Sequence, residues 1–490
     1  IQLMKAYERG LTEEDAWSNL FVKSETYFNK DTNSFKTRMI WSRSDCVIAT
    51  FYPYFTQVSD YIKQNVMNED SKHVYSSGMN AQQRGDFAKK LDHFHWKYER
   101  DVSNWDGSMH KGFLQIEVDF LNTVLTTIPN EFLWLFSHWF DVFGKSRSGL
   151  QYKADYGRRS GDLWTSSFNS LLNMLITKFN LSWLRAQNLI SERCETGGLY
   201  QGDDNVVWSS EKLNSTLTTE FYTKLGLKVE DIEHEDISTV GFCSGWFWPV
   251  GNGLKFGFDP FRTLAKFGQN HNNHPSKKFK GILYGTAKSM LPSGGHVPIL
   301  GAILRAIIDS SEKNNIKQIV DPTWEYKLGY NDGPADYPDM NTYVSFEERY
   351  GIDYEAVLQL EEDIYLSLDI NSFPYLLIGE IFQKGLLALG HNEKEPTNFE
   401  IINDIPFEEE VEKAIRAKEV GVVQAAIDFA NSEIDLGAPK YVIPLHVLFS
   451  VVASINFNTG VLLHSTWNRF AVNSAQSYQT CAKKKNENKQ

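Results

Sequence analysis

Two adjacent carboxylates, Asp203 and Asp204, follow a glycine in LYQGDDNVVW, with apolar and aromatic residues on both sides. Such a pair could hold a divalent cation, because hard cations take oxygen ligands. It could equally be a tight turn between strands, since Gly and Asn accept positive φ and Asp bonds its own backbone. Alone, the ten residues favour the turn. Upstream, DVSNWD carries Asp101 and Asp106. If Asp101 ends a strand, a second acid emerges close by, and a strand-end carboxylate beside a carboxylate hairpin is what two phosphate-bridged magnesium ions require. A helix cap and loop explains DVSNWD as well.

Between these acids stands SGDLWTSSFN, with Ser160, Gly161, Thr165 and Asn169 at the spacing S-G-x3-T-x3-N. Thr165 and Asn169 are four apart and share a helix face. Gly161 allows close approach to a ligand or another backbone. A plain helix start accounts for Ser160 and Gly161 but does not need Asn169. Nearer the N-terminus, FKTRMIWSRS places Lys36, Arg38 and Arg43 in an otherwise apolar stretch. Alternation puts Lys36 and Arg38 on one strand face, suited to a triphosphate or to water.

These residues need elements to hold them. FKTRMIWSRSDCVIATFY (35 to 52) reads as strand then helix, and residues 10 to 28 carry Asp15, Trp17, Leu20 and Phe21 at helical spacing. NEFLWLFSHWFDVFG (130 to 144) is ambiguous between helix and strand. TSSFNSLLNMLITKFNLSWL predicts an amphipathic helix, with Phe168, Leu171, Leu172, Leu175 and Phe179 recurring at three and four. Short strands flank residues 202 to 204, a helix follows over 215 to 226, and GFCSGWFWPV reads as an aromatic hairpin. From about 260 the pattern is mostly helical. The mixture is α+β, with an α-rich C-terminal part.

A chain of 490 residues should divide into several lobes, and its 14% aromatic share predicts aromatic cores. Four widely spaced cysteines form no CxxC pair, which argues against a disulfide framework and a zinc knuckle and for a reducing compartment. The net charge of −13 does not advertise nucleic-acid binding, yet residues 144 to 161 and 274 to 288 are basic. A basic channel inside an acidic shell fits that distribution. No apolar run is long enough to span a bilayer; residues 442 to 457 come nearest and read as a buried helix. Starting at Ile1 suggests a piece of something longer.

In order, the chain shows K-x-R…R, D-x4-D, SG-x3-T-x3-N, GDD and F-C-S-G. That series resembles motifs F, A, B, C and E of the RNA-dependent RNA polymerases of positive-strand RNA viruses. It spans residues 36 to about 250. The short flanks SNLFVKSETYF, GMNAQQRGDF and FCSGWFWPV are similar to the nodavirus-like and tombusvirus-like branch. The resemblance implies a right-hand polymerase with fingers, an antiparallel-sheet palm and an α-rich thumb. Fingers would cover 1–95 and 112–155, palm 96–111 and 156–250, and thumb with a C-terminal tail 251–490.

The resemblance further implies that Asp101 and Asp203 hold two Mg2+ ions, with Mn2+ able to substitute and Asp204 a weaker or outer ligand. Asp106 and Asn169, helped by Thr165, would read the ribose 2′-hydroxyl. Ser160 and Gly161 would follow template and nucleotide, and Lys36, Arg38 and Arg43 would line the entry channel. Lys228, with Lys224 as the other candidate, would protonate pyrophosphate. Phe242, Cys243 and Ser244 would support the product strand. The partners implied are single-stranded RNA template, nascent RNA, nucleoside triphosphates, and other viral replication proteins or an N-terminal region missing from this chain. The place implied is the host cytoplasm at membrane-associated replication complexes, reached through a region outside the chain.

The expected activity is template-directed RNA synthesis replicating a viral genome. A reverse transcriptase-like polymerase is the first rival, against which Asp106 and Asn169 speak. The others are a non-catalytic RNA-binding or assembly protein on the same fold, and a metal-dependent hydrolase. His271, His274 and His296 read as unmetallated, and Glu117 and Asp119 match no motif.

Overall fold

The computed structural model describes residues 2–23, 38–268, 276–319 and 335–370. Along the chain the strands are β1 (Trp17–Val22), β2 (Met39–Ser42), β3 (His73–Tyr75), β4 (Trp96–Ser103), β5 (Asp141–Ser146), β6 (Gln151–Asp155), β7 (Thr196–Gln201), β8 (Asp204–Ser209), β9 (Lys228–His234), β10 (Gly241–Phe242), β11 (Gly245–Val250) and β12 (Gly253–Phe258). Among the described residues they form three sheets, ordered β2-β1-β5-β6, β3-β7-β8-β4-β9 and β10-β11-β12. In the five-stranded sheet every pairing is antiparallel except β3 with β7.

Alternation divides that central sheet cleanly. Tyr98, Val102, Tyr200 and Val207 point to one face, where the helices Thr165–Ala186 and Ser215–Lys224 cover them. Leu199, Val206 and Trp208 point to the other face, against the helix Ala81–Leu91 and the three-stranded sheet. Arg100 and Asn205 are opposite each other on the helix-covered face. Asp101 and Asp204, one residue away, therefore fall on the other.

Aromatic packing holds the helical side together, as the composition predicts. Phe55 stacks on Trp164 at 4.3 Å between ring centroids, and Trp164 on Trp139 at 4.9 Å. Such pairs add about 0.5–1.5 kcal/mol each beyond the burial itself. The helix Thr165–Ala186 buries Phe168, Leu171 and Leu172, while Leu175 and Phe179 of the predicted stripe are exposed.

Residues 35 to 52 are strand then helix where described, β2 and Asp45–Tyr61. Residues 130 to 144 contain both alternatives, the helix Asn130–Ser137 followed by the start of β5. Helical spacing at Trp17, Leu20 and Phe21 misleads, because Trp17–Val22 is β1. Ser18 and Leu20 are its buried positions, a period of two, with β2 and β5 bonded on either side. Beyond residue 259 the described elements are all helices: Pro260–Leu264, Ser276–Gly294, Leu300–Lys313, Met340–Tyr350 and Tyr354–Ser367. No described helix is long and apolar enough to cross a membrane. Residues 442 to 457, Lys36, His271 and His274 lie outside the described residues.

Candidate active site

The strands β7 and β8 form a hairpin in which Gln201 pairs with Asp204, leaving Gly202 and Asp203 as its two-residue loop. Gly202 has φ +67°, and no side chain is as comfortable there. The helix Thr165–Ala186 holds this tip from behind. Ser170 Oγ accepts from the Gly202 N–H at 2.7 Å, and Asn173 Nδ2 donates to the carbonyls of Gly202 and Asp203 at 3.1 and 2.8 Å. Asn205 Nδ2 in turn donates to Asn173 Oδ1 at 2.6 Å. Asn173 extends the Thr165, Asn169 series by one more step of four, a signal present in the sequence and not used.

The hairpin stands beside β4. Arg100 is level with Asn205, so the same register brings Asp101 level with Asp204 on the face away from the helices. The three acids are reachable by solvent but set among protein. Burial pushes the Asp204 carboxyl up to about 6, with repulsion from Asp203 and Asp101 adding to it and a hydrogen bond from Cys243 opposing. Burial and then Asp101 also raise Asp203, while Arg38 pulls it down. This mutual repulsion of hard oxygen donors is what a divalent cation relieves. Among the described residues no three His, Cys, Asp or Glu side chains form a ready-made chelate. Carboxylate oxygens crowded in this way are the donor type that a divalent cation takes.

Asp106 follows β4 in the short helix Trp105–Ser108. Its Oδ1 accepts from Asn169 Nδ2 at 3.1 Å, so D-x4-D and T-x3-N meet across 63 residues of sequence. Burial raises the Asp106 carboxyl, Arg158 and the Asn169 hydrogen bond lower it, and Asp203 raises it again. Arg38 also acts on Asp106 and Asp203 electrostatically, which puts its charge near both acids.

Arg43 is elsewhere. Its residue is 2% exposed, its Nε lies 3.3 Å from Asp162 Oδ1, and Nη1 donates to the Ala16 carbonyl at 3.3 Å. Burial pulls the guanidinium down to about 10, with Arg159 adding and Asp162 opposing. The side chain is a core cation and does not face an open channel; alternation along β2 stops at Ser42 and does not govern it.

Ser160 Oγ accepts from the Trp41 N–H at 3.3 Å, and Gly161 bridges to Ser42. A Cβ at Gly161 would lie 1.9 Å from the Trp41 carbonyl oxygen, so only glycine fits. The loop is thereby fastened to β2. Thr165 Oγ1 donates to the Arg159 carbonyl at 2.8 Å, bracing the loop and not the Asp106–Asn169 pair. Lys228 is exposed at the start of β9, level with Ser103 and on the same face as Asp101. Lys224 Nζ instead lies 5.3 Å over the Trp183 ring. Phe242 is buried, and Cys243 and Ser244 form the β10–β11 turn with φ +48° and +60°. Burial, and then Asp204, push the Cys243 thiol far up, so it is a packed group and not a thiolate. His296 is fully buried, its ionisation suppressed to about 3, chiefly by burial.

Glu117 and Arg158 are the residues that motif spacing missed. Glu117 is fully buried in the helix Lys111–Val124 and pairs with both terminal nitrogens of Arg158. Arg158 Nε donates to Asn169 Oδ1 at 2.8 Å, and its backbone N–H donates to the Asp106 carbonyl at 2.8 Å. A lone glutamate inside an amphipathic helix gives no signal; Arg158, two residues before Ser160, gives a weak one.

Similarity to known proteins identifies the family. Residues 20–282 match the family model described as RNA dependent RNA polymerase. The chain is 24% identical over 290 residues to an RNA-directed RNA polymerase of Pariacoto virus, covering 58% of this chain and 29% of that protein. It thus spans under a third of that relative's length. Among solved structures it is similar in fold, at 10% identity and a TM-score of 0.51, to an insertion-loop deletion mutant of the RNA-dependent RNA polymerase of a human picorbirnavirus. That match covers 70% of this chain and 64% of the other. With more than half its length matched, and an α+β polymerase fold, the chain belongs to the viral RNA-dependent RNA polymerase family.

Proposed function

We propose that this chain synthesises RNA on an RNA template and in doing so replicates a viral genome. The observation that carries this reading is the meeting of Asp101, Asp203 and Asp204 where the central strands β4 and β8 lie side by side, with the hydrogen-bonded Asp106–Asn169 pair beside them. Residues 96–111 and 156–250 act as palm, 1–95 and 112–155 as fingers, and 251–490 as thumb and tail. Replication would take place at cytoplasmic membranes.

Asp101 and Asp203 would hold two Mg2+ ions, with Asp204 outside them; when bound, these supply an acidified 3′-hydroxyl and neutralise triphosphate charge. Arg38 attracts the triphosphate toward the acids, with Lys36 as a second cation. Asn173 keeps Asp203 in place through the loop carbonyls, so its carboxylate needs no reordering during the reaction. Asp106 accepts from the ribose 2′-hydroxyl while Asn169 donates to it. Lys228 gives a proton to the departing pyrophosphate. The Cys243–Ser244 turn, with Phe242 behind it, supports the product end.

The test is incorporation of labelled nucleotides by the 490-residue chain on single-stranded RNA with magnesium or manganese. Template-dependent RNA product is expected, falling at least about a thousandfold in Asp203→Ala, as removal of a group that organises the transition state does. Product undiminished in that variant would overturn the catalytic assignment. Efficient deoxyribonucleotide use would favour a reverse transcriptase, and RNA binding without synthesis a non-catalytic role.

A further inference from the structure

Asn169 sits between a buried cation and a carboxylate. Arg158 Nε–H points at its Oδ1 from one side at 2.8 Å, and Asp106 Oδ1 accepts from its Nδ2 on the other at 3.1 Å. An amide has two nearly isosteric ends, so its orientation is set only by what surrounds it. Flipping this one would turn the NH2 group onto the guanidinium and the oxygen onto the carboxylate, losing both bonds. Arg158 is itself held. Its two terminal nitrogens bind Glu117, which is 0% exposed, and its backbone N–H is bonded to the Asp106 carbonyl.

We propose that the buried Glu117–Arg158 pair is a positioning device that locks the Asn169 amide and so sets the preference for ribose over deoxyribose. The inference rests on the polymerase reading above. With Oδ1 engaged by Arg158 and one N–H by Asp106, the second N–H of Asn169 is the group left to donate to a 2′-hydroxyl oxygen. The second oxygen of Asp106 is left to accept its proton. A deoxyribose lacks both contacts and gains nothing from the lock. Neither Glu117 nor Arg158 touches the nucleotide; both act through Asn169.

The charge-free pair Glu117→Leu with Arg158→Met removes the lock while keeping the site filled, a replacement that buried ion pairs commonly tolerate. Its thermal midpoint establishes that it folds, and kcat/KM is then measured for matched ribo- and deoxyribonucleotides on an RNA template. The ribonucleotide value is expected to fall about tenfold, the loss of roughly one buried hydrogen bond, with the deoxyribonucleotide value within about twofold of the parent. In an Asn169→Ala background the same double change should do nothing further to the ratio. An unchanged preference, or an equal fall without Asn169, overturns the inference and leaves the polymerase reading intact. A parent chain that copies no template overturns both. Should the double variant not fold, Arg158→Lys, which retains the cation beside Glu117 but lacks the directed Nε–H, decides by the same criteria.

Discussion

His73 on β3 is 4% exposed, and its Nδ1 lies 3.0 Å from the Tyr200 hydroxyl. Burial first, and then Lys178, hold its ionisation down to about 3, against 6.5 for a free imidazole. The unfolded chain therefore binds a proton that the folded chain refuses. Stability from this residue is complete above pH 6.5 and drains away as pH falls toward 3. The expected slope is up to about 1.4 kcal/mol per pH unit in that window. His73→Asn keeps an acceptor for Tyr200 but cannot titrate, so denaturant unfolding from pH 6.5 down to 4 should show a slope shallower by that amount. Identical slopes would mean that His73 is already protonated in the fold. Reading single residues from the sequence worked where the neighbours were local. Asp203 and Asp204 announce their own hairpin, whereas Glu117 meets Arg158 across 41 positions, and no local pattern reports such a pairing.

Among the elements, the β10–β11 turn places two residues with side chains in left-handed backbone, Cys243 and Ser244. Two-residue hairpin turns of this kind favour Asn-Gly because such conformations strain a Cβ by about 1–2 kcal/mol. Ser244→Gly should raise stability by about 1 kcal/mol, read as a higher thermal midpoint, and the Cys243 thiol beside Asp204 is untouched. A lower midpoint would show that the serine hydroxyl makes a bond worth more than the strain. The sequence marked this hairpin by its aromatic residues and the central hairpin by Gly-Asp-Asp-Asn. It misled at β1, where Trp17, Leu20 and Phe21 mimic a helical face although hydrogen bonding to β2 and β5 decides the conformation. Arg43 misled for a related reason: its position past the end of β2 turns a cation expected in a channel into the buried partner of Asp162.

At the scale of the molecule, one buried carboxylate gathers groups from the three-stranded sheet and from the helices that follow it. Asp259 Oδ2 accepts from the Tyr350 hydroxyl at 2.8 Å and from Trp246 Nε1 at 3.1 Å, while Oδ1 accepts from the Arg262 N–H at 2.7 Å. Arg349 lies over the Trp246 ring at 3.9 Å. Asp259→Ala would strand a buried phenol and an indole N–H, a loss of about 3 kcal/mol or more. Urea unfolding should show it, with Tyr350→Phe costing clearly less because the carboxylate keeps its other partners. Equal losses would mean that the Tyr350 hydroxyl accounts for all that Asp259 contributes. The mostly helical character of this part was legible in the sequence; the joint was not, since Asp259 meets Tyr350 across 91 positions.

The seating of Gly161 on Trp41 has a consequence in time. The two partners Trp41 and Ser160 are separated by 119 positions, and β1 must also pair with β5 before its sheet is complete. At about 5–20 residues per second a ribosome takes roughly 6 to 24 s to make that interval. Ser160 emerges from the tunnel later than β2 by that same interval, during which the backbone surface reserved for Gly161 is bare. Nascent chains halted before residue 161 has emerged should therefore be the aggregation-prone ones, and those halted after its emergence should shed chaperones.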